Sequence, residues 1–425
     1  MGGSRKCGIN ERIYQARRFG LRAEVVGEAH IRSFLGGESI LRVIFMGTPQ
    51  FAIPSLKMLI EEKHDYDVVG VITQPERKKD RKGTLIQPPV KELAIKHGIR
   101  VIQPDSIRSD SVFCEISELE PDLFVTVAYG GILDKRLLDL PRFGCVNVHA
   151  SLLPKYRGPA PIQWAIINGN SETGVTIMLT DTGVDTGCVL SEDYLTITDD
   201  MYYPDVYDAL SKLGALALKR TLPLWVDGKI TPVPQNEAIA TKARMLIKED
   251  GRINFNKSAK EIACLVRGVS PWPGAYAQTD CGKMKVLRAC VIDETLTYTS
   301  IGNISVTDAV SVVGAMNAAC AAEASSGAGV TGAACAIGTN NAAHVDRTDN
   351  AVCTAEATSG AADAAGTVGA KAVPGTVLKA TCDGLVIQCG DGAVSITELQ
   401  FENCRSMNIS ECWHNLKTNK FYTGE

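Results

Sequence analysis

The sequence lacks the features that mark membrane, secreted and zinc-stabilised proteins. None of its apolar runs is long enough to span a bilayer, and no two of its 14 cysteines form a C-x-x-C pair. Scattered cysteines in a chain of 425 residues are typical of buried, reduced thiols, so we expect neither a disulfide framework nor a metal site. The formal net charge is -4, so any contact with nucleic acid must come from a local basic segment.

Two long segments also lack the composition of a folded core. Residues 1–40 have no apolar centre for a signal peptide, and they include acidic residues, which organelle transit peptides usually avoid. We therefore expect an N-terminal extension there, rather than a targeting segment, in a cytoplasmic protein. No aromatic residue occurs between Tyr298 and Phe401. Residues 295–372 are rich in alanine, glycine, serine and threonine, which predicts a low-complexity insertion.

In the first half of the remaining sequence, short apolar runs alternate with stretches of helical period. Strands are predicted over 42–46, 68–72, 124–128 and 145–148, and helices over about 49–62, 89–97, 109–119, 159–168 and 203–226. This alternation indicates an α/β fold with a doubly wound, mostly parallel, Rossmann-like sheet that binds ligands at the carboxyl ends of its strands. The turn Met46–Pro49 lacks the later glycines of G-x-G-x-x-G, which argues against a dinucleotide-dependent oxidoreductase.

The second half has a different pattern. The segment Pro232–Asn236 has the composition of a linker, and a short helix is predicted near 257–267. Short β-like runs separated by glycines follow, among them 284–292, 375–379, 385–388 and 393–399. Such runs predict a small, OB-like β-barrel. We therefore expect an α/β domain over 41–230, a linker over 231–247 and a C-terminal barrel domain over 248–425, which contains the insertion.

Asn147 and His149 are the candidate catalytic residues. They occupy alternate positions at the end of an apolar strand, so both side chains lie on one face of the sheet. An amide can donate to a developing oxyanion, an imidazole can move protons, and a carboxylate can hold the imidazole. Asp185 is the predicted carboxylate, with Asp181 in the same turn as the competing choice, although an ordinary turn would also account for both. Ser151 lacks the G-x-S-x-G elbow of a nucleophile, and we interpret it as loop structure beside a ligand site.

A basic segment lies between the second predicted strand and the next helix. Residues 74–84 contain five cations against two acids. The cations are Arg77, Lys78, Lys79, Arg81 and Lys82. One interpretation of this charge run is a solvated surface loop. The other is a loop that contacts the phosphates of a nucleic acid, whose affinity would then fall with salt.

The residues around the candidate pair resemble those of the folate-dependent formyltransferases. The similarity is carried by Asn147–Pro154, by Arg157-Gly158 and by Asp185-Thr186-Gly187. It implies that Asn147, His149 and Asp185 form the catalytic trio. It also implies a folate site, contacted by Ser151, Leu152, Leu153 and Pro154, with Ile132, Leu133 and Asp181 around the pterin.

Two further stretches narrow the resemblance to the methionyl-tRNA formyltransferases. The loop Gln74–Lys91 is similar to the tRNA-binding loop of that family. Within it, Asp80-Arg81-Lys82-Gly83-Thr84 stands where the family usually carries Gly-Arg-Gly-Lys-Lys, so Arg81 keeps the matching arginine. Three short runs are similar to the opening of the family's C-terminal domain, namely Glu249–Ile253, Arg267-Gly268 and Pro271–Tyr276.

This resemblance extends over roughly 41–294 and 373–425. It implies transfer of a formyl group from 10-formyltetrahydrofolate to the α-amino group of methionine on initiator tRNA, for translation initiation. We expect a monomer that uses no metal. Another folate-dependent formyltransferase, acting on glycinamide ribonucleotide or an amino sugar, would keep the same trio. The basic loop and the domain that contains Pro271-Trp272-Pro273 argue against it. The intact trio argues against the remaining alternative, a tRNA-binding module without catalysis.

Overall fold

A computed structural model describes residues 40–78, 85–279, 282–292, 372–402, 404–413, 416 and 421. These residues form two large sheets and one short hairpin, in which β3 (Arg77–Lys78) pairs with β4 (Leu85–Ile86). The expected N-terminal extension, except Ile40, and the expected insertion, except its last residue, lie outside the described residues.

The first sheet has seven strands, most of them parallel. They are β1 (Leu41–Gly47), β2 (Tyr66–Ile72), β5 (Val101–Ile102), β6 (Leu123–Val127), β7 (Cys145–His149), β8 (Glu172–Leu179) and β9 (Val189–Thr196). Their order across the sheet is β5-β2-β1-β6-β7-β8-β9, and only β8 and β9 run antiparallel to their neighbours. The strand order reverses between β1 and β6, which places a switch point, and hence a ligand crevice, at the carboxyl ends of the central strands.

Helices cover both faces of this sheet. They are α1 (Ile53–Glu61), α2 (Pro89–Lys96), α3 (Asp110–Ser117), α4 (Lys135–Leu138), α5 (Pro161–Ile167) and α6 (Tyr203–Val226). Along β1, Phe45 packs into the core that contains residues of α1 and α6, whereas Ile44 and Met46 pack into the core on the opposite face. A strand buried on both faces is typical of a doubly wound sheet, which confirms the predicted fold class.

Several details differ from the sequence-based expectation, and two of them concern long elements of the first sheet and its helices. The predicted helix start at Pro49 is wrong, because Pro49 precedes a 3-10 turn and α1 begins at Ile53, with Pro54 in its first turn. The antiparallel strands β8 and β9 were not predicted. The edge strand β9 carries the polar run Ser191-Glu192-Asp193, which interrupts the apolar pattern by which strands are recognised.

The second sheet is antiparallel. Its strands are β10 (Ala275–Thr279), β11 (Gly282–Ile292), β12 (Val377–Thr381), β13 (Gly384–Gln388), β14 (Ala393–Phe401) and β15 (Met407–Asn408), accompanied by α7 (Ala259–Gly268) and α8 (Ile409–Cys412). The order is β10-β11-β14-β13-β12, with β15 paired to β14. Phe421 bridges Thr279 in β10, and its N–H donates to the carbonyl of Gly375 just before β12. One residue therefore joins the two edges of the sheet, as a barrel requires.

The two halves meet where α5 lies against α7. Trp164 and Ile167 of α5 pack against the core of the second sheet. The approach is close at Gly268, where a Cβ atom would lie 2.6 Å from a side-chain carbon of Ile167. Arg267 is buried, and its guanidinium donates to the carbonyl of Thr198 in the first half, at 2.7 Å. Among the helices of the described ranges, none has the length and apolarity needed to cross a membrane.

Candidate active site

The strand β7 presents Asn147 and His149 at the carboxyl edge of the first sheet. Val146 and Val148 pack into the core on one face, so the alternation of the strand turns Asn147 and His149 to the other face. The Oδ1 atom of Asn147 accepts a hydrogen bond of 2.8 Å from the hydroxyl of Thr126 in β6. Since this bond fixes the orientation of the amide, the Nδ2 hydrogens of Asn147 remain for another acceptor.

The ring of His149 has a partner at each nitrogen, and its side chain is 6% exposed. Nε2 lies 3.0 Å from the carbonyl oxygen of Tyr156. Because a carbonyl can only accept, Nε2 carries a hydrogen. Nδ1 lies 3.6 Å from Oδ2 of Asp185, which is longer than a hydrogen bond but within the reach of an ion pair. Exchange of a proton with another group is therefore left to Nδ1.

Asp185 is held at its carboxylate and at its backbone. Its Oδ2 atom accepts a hydrogen bond of 2.8 Å from the backbone N–H of Gly158. Its own backbone is left-handed, with φ of 54°, and its carbonyl accepts from the side-chain amide of Gln235 at 2.8 Å. The carboxylate is 19% exposed, so the structure brings Asp185 to His149 at the border between the core and solvent.

Asp181, the competing carboxylate, closes its own turn. Its Oδ1 atom accepts from the N–H of Gly183 at 2.9 Å and from the hydroxyl of Thr186 at 2.7 Å. These bonds occupy the Oδ1 atom of Asp181, whereas Asp185 directs Oδ2 toward His149. Within the described part of the chain, no group of three or more His, Cys, Asp or Glu side chains could hold a metal ion.

The predicted folate-contacting run divides into structural and accessible residues. The buried hydroxyl of Ser151 donates to the carbonyl of Lys155 at 2.7 Å. The carbonyl of Ser151 accepts from the hydroxyl of Thr176, which also accepts from the N–H of Leu153. Leu153 is buried, whereas Leu152 and Pro154 are half-buried. The side chains of this run that remain open to a ligand are therefore those of Leu152 and Pro154.

The two residues predicted beside the pterin have opposite surroundings. Ile132 is 55% exposed, so its side chain is accessible to a ligand. Leu133 is buried and packs into the core on the α3 and α4 side of the sheet. Only Ile132 of this pair therefore presents its side chain to solvent.

Two residues of the basic segment lie in a short hairpin. Of the five predicted tRNA-binding cations, Lys79, Arg81 and Lys82 lie outside the described residues. Arg77 and Lys78 form the short strand β3, which pairs antiparallel with β4. The described backbone therefore returns on itself, and the three remaining cations lie between β3 and β4 in the sequence.

Three groups that position the site were missed from the sequence. They are the hydroxyl of Thr126, the carbonyl of Tyr156 and the side-chain amide of Gln235. Thr126 has the pattern of an ordinary strand residue, and Gln235 lies in a segment with the composition of a linker. A backbone carbonyl leaves no sequence signal, so only the position of Tyr156 beside Arg157-Gly158 could have drawn attention to it.

The close approach at Gly158 gives a test of how tightly the site is built. Its φ is 122°, and a Cβ atom would lie 2.6 Å from the carbonyl oxygen of Ala243. Gly158→Ala should therefore lower the free energy of unfolding by more than the roughly 1–3 kcal/mol that left-handed backbone costs. Gly228→Ala is the control, because its φ is 69° but nothing lies within 4 Å of the new Cβ. Equal losses in urea unfolding would show that the contact with Ala243 relaxes without cost.

Two family models match the chain. The formyl transferase model matches residues 41–222, and the model of the formyl transferase C-terminal domain matches residues 245–319 and 342–417. The first match contains Asn147, His149 and Asp185. The matches thus include the first sheet with its site and much of the second.

Individual proteins are also similar to the chain. The methionyl-tRNA formyltransferase of Acetivibrio thermocellus is 40% identical over 376 residues, which cover 88% of this chain and 97% of that protein. The one of Geotalea uraniireducens is 49% identical over 248 residues, covering 58% of this chain and 79% of that protein. A solved sugar N-formyltransferase from Shewanella is 19% identical with a TM-score of 0.48, covering 60% of this chain and 100% of that chain. The family models and the sequence identities confirm the predicted family: the chain belongs to the methionyl-tRNA formyltransferases.

Proposed function

We propose that this formyltransferase moves the formyl group of 10-formyltetrahydrofolate to the α-amino group of methionine on initiator tRNA, for translation initiation. The observation that carries the proposal is the convergence of Asn147, His149 and Asp185 at the carboxyl edge of the first sheet, in a chain of this family. We further propose that it acts as a monomer in the bacterial cytoplasm.

The amide of Asn147 is the proposed donor to the formyl oxygen. Thr126 occupies its Oδ1 atom, so Nδ2–H is the group that can meet an oxygen as that oxygen becomes negative. The amide is fixed before the reaction begins, so it need not reorganise when charge develops. Removing one such preorganised donor costs about 10²–10³-fold in kcat in other acyl-transfer enzymes, so we assign a contribution of that order to Asn147.

His149 and Asp185 are the proposed proton-handling pair. With Nε2–H committed to the carbonyl of Tyr156, the ring gains or releases a proton only at Nδ1. The carboxylate of Asp185 lies 3.6 Å from that atom and can stabilise positive charge that develops on the ring during the transfer. At this separation the hydrogen on Nδ1 is not locked into a short bond with Asp185. It can therefore also serve the reacting formyl oxygen or the leaving nitrogen.

The proposed reaction balances without an added oxidant, reductant or metal. The acceptor nitrogen bonds to the formyl carbon, and the bond between that carbon and the donor nitrogen breaks. One proton leaves the amine, and one reaches the departing nitrogen, with Nδ1 of His149 or an ordered water as the carrier. By holding both substrates at one strand edge, the protein converts a two-body encounter into an oriented one.

10-Formyltetrahydrofolate, when bound, supplies the formyl group. On this chain, we assign its contacts to the loop from Ser151 to Pro154, to Ile132 and to the turn at Asp181. The half-buried Leu152 and Pro154 and the exposed Ile132 offer apolar surface of the kind that aromatic rings bind. The buried Ser151 and Leu153 would support that surface through their hydrogen bonds to Lys155 and Thr176.

The loop between β3 and β4 is the proposed phosphate contact of the tRNA. Arg81→Ala should raise the KM for charged tRNA about tenfold, as expected for the loss of one charge-assisted contact of roughly 1.5 kcal/mol. The slope of log KM against log salt should become shallower by about one, and the KM of the folate should stay unchanged. Lys57→Ala, on the exposed side of α1, is the control. An unchanged, salt-independent KM for the tRNA would contradict this assignment.

One assay separates the proposed acceptor from its alternatives. Purified protein is given 10-formyltetrahydrofolate with methionyl initiator tRNA, methionyl elongator tRNA, glycinamide ribonucleotide or an amino sugar nucleotide. We expect transfer to the initiator tRNA at the highest kcat/KM. Preferred transfer to either small amine would refute the proposed acceptor while keeping the chemistry. Binding of tRNA without any transfer would leave only a tRNA-binding module.

A further inference from the structure

The segment 233–243, called the strap below, was predicted as part of a linker but lies across both loops of the site. At its start, Val233 exchanges two backbone hydrogen bonds with Val189 at the beginning of β9. Near its end, Thr241 makes two hydrogen bonds. Its hydroxyl oxygen accepts from the N–H of Tyr156, and its backbone carbonyl accepts from the N–H of Arg157. The strap therefore touches the loop that carries the Tyr156 carbonyl, and it starts beside the strand that follows the Asp185 turn.

Gln235 is the residue of the strap that joins the two loops. Its side-chain amide nitrogen donates to the carbonyls of Asp185 and Gly187, each at 2.8 Å. Its side-chain oxygen accepts from Nε of Arg157 at 2.9 Å. Both hydrogens of this amide and one lone pair of its oxygen are thus used by the loop that follows His149 and by the turn that carries Asp185.

Arg157 completes this arrangement. Its side chain is 9% exposed, and its two terminal nitrogens bind the two carboxylate oxygens of Glu237 at 2.9 and 2.7 Å. The ion pair holds the pKa of Glu237 below its usual range, chiefly through that hydrogen bond. Next in sequence, Gly158 donates its N–H to Oδ2 of Asp185. The strap therefore fixes both the backbone and, through Arg157-Gly158, the carboxylate of Asp185.

We propose that Gln235 is a positioning residue for formyl transfer, which sets the placement of the Asp185 carboxylate beside Nδ1 of His149. The left-handed backbone of Asp185 is a conformation that a non-glycine residue adopts only when its surroundings hold it there. The bonds from Gln235 to the carbonyls on either side of Thr186 supply that hold. The inference rests on the proposed function, because it assigns a role within that reaction.

Two substitutions at Gln235 remove the bonds in different ways. Gln235→Met keeps the length of the side chain and removes all three bonds. Gln235→Glu keeps an acceptor for Arg157 but loses both donors to the carbonyls. We expect either change to lower kcat about 10–100-fold, since small misplacements of a catalytic group have effects of that order, with both KM values within threefold of wild type.

A matched control lies one residue further along the strap. Asn236→Asp makes the same amide-to-carboxylate change, and its Oδ1 atom still accepts from the N–H of Ala238, as it does in the native protein. We expect its kcat to stay within twofold of wild type. Melting temperatures of all variants are compared, so that loss of folded protein is not mistaken for loss of kcat.

The outcomes decide the role of Gln235 separately from the proposed acceptor. Lower kcat with preserved KM in both Gln235 variants, together with an unchanged kcat in Asn236→Asp, supports positioning. A kcat equal to wild type, a change in KM alone, or a loss that follows the melting temperature overturns it. If wild-type protein formylates a different amine, the proposed acceptor fails, and the same comparison with that amine still tests Gln235.

Discussion

His149→Ala is expected to lower kcat for formyl transfer by roughly 10³-fold, within the range that general acid–base residues contribute. The substitution removes the group that carries the proton at Nδ1 and the charge that faces the formyl oxygen. It leaves Asn147 in place, because the amide is fixed by Thr126 and not by the ring. The KM of the folate should therefore remain within a few fold of wild type, since no proposed folate contact is lost.

The control for this substitution is a histidine with no part in the site. His64 is exposed in the turn before β2, at the opposite, amino-terminal edge of the first sheet. His64→Ala should keep full activity in the same preparation. Single-turnover measurement with saturating folate and charged tRNA isolates the transfer step from substrate binding. A His149→Ala protein with turnover near wild type would show that the ring does not take part in the chemistry.

The sequence predicted that the side chains of Asn147 and His149 share one face of the sheet, because this prediction needs only a local rule. Alternate residues of a strand share a face, and β7 obeys this rule from Cys145 to His149. The alternation of strands and helices predicted a mostly parallel sheet, and ligands bind such a sheet at the carboxyl ends of its strands. The fold class and the location of the pair were therefore accessible from the sequence. Their catalytic roles remain predictions.

The choice between Asp181 and Asp185 was not accessible in the same way. Both stand in one glycine-rich turn, and either could face a histidine in another part of the sequence. The structure separates them through a contact with the distant Gly158 and through the internal bonds of Asp181. Contacts between loops far apart in sequence leave no trace in local composition, so only the resemblance favoured Asp185.

The strap also makes contacts that its own sequence does not predict. Prolines and polar residues gave residues 231–247 the composition of a linker, and composition does not show what a polar side chain binds. Gln235 and Glu237 find their partners in Arg157 and the Asp185 turn, which lie far away in the sequence. A polar segment can therefore be part of the site although its sequence is typical of a connection.

Asp185→Asn is expected to lower kcat about 10²–10³-fold with little change in either KM, the order of effect seen when a group that acts on developing charge is lost. Asparagine has the same shape, and its side-chain oxygen can still accept from the N–H of Gly158. The fold of the turn should therefore persist, and the melting temperature should stay close to wild type. What disappears is the negative charge beside Nδ1 of His149.

The Asp185→Asn substitution changes the charge at one atom that serves two contacts. If the new amide keeps its oxygen on Gly158, that same oxygen stays beside Nδ1 of His149, because Oδ2 of Asp185 makes both contacts in the native protein. A neutral amide oxygen stabilises positive charge that develops on the ring less than a carboxylate does. Asp181→Asn provides the comparison. Its oxygen can still accept from Gly183 and Thr186, so the turn should persist. Because Asp181 is a proposed folate contact, the loss of its charge should change the KM of the folate rather than kcat. If Asp181→Asn instead caused the larger loss of kcat, the two carboxylates would have to exchange roles.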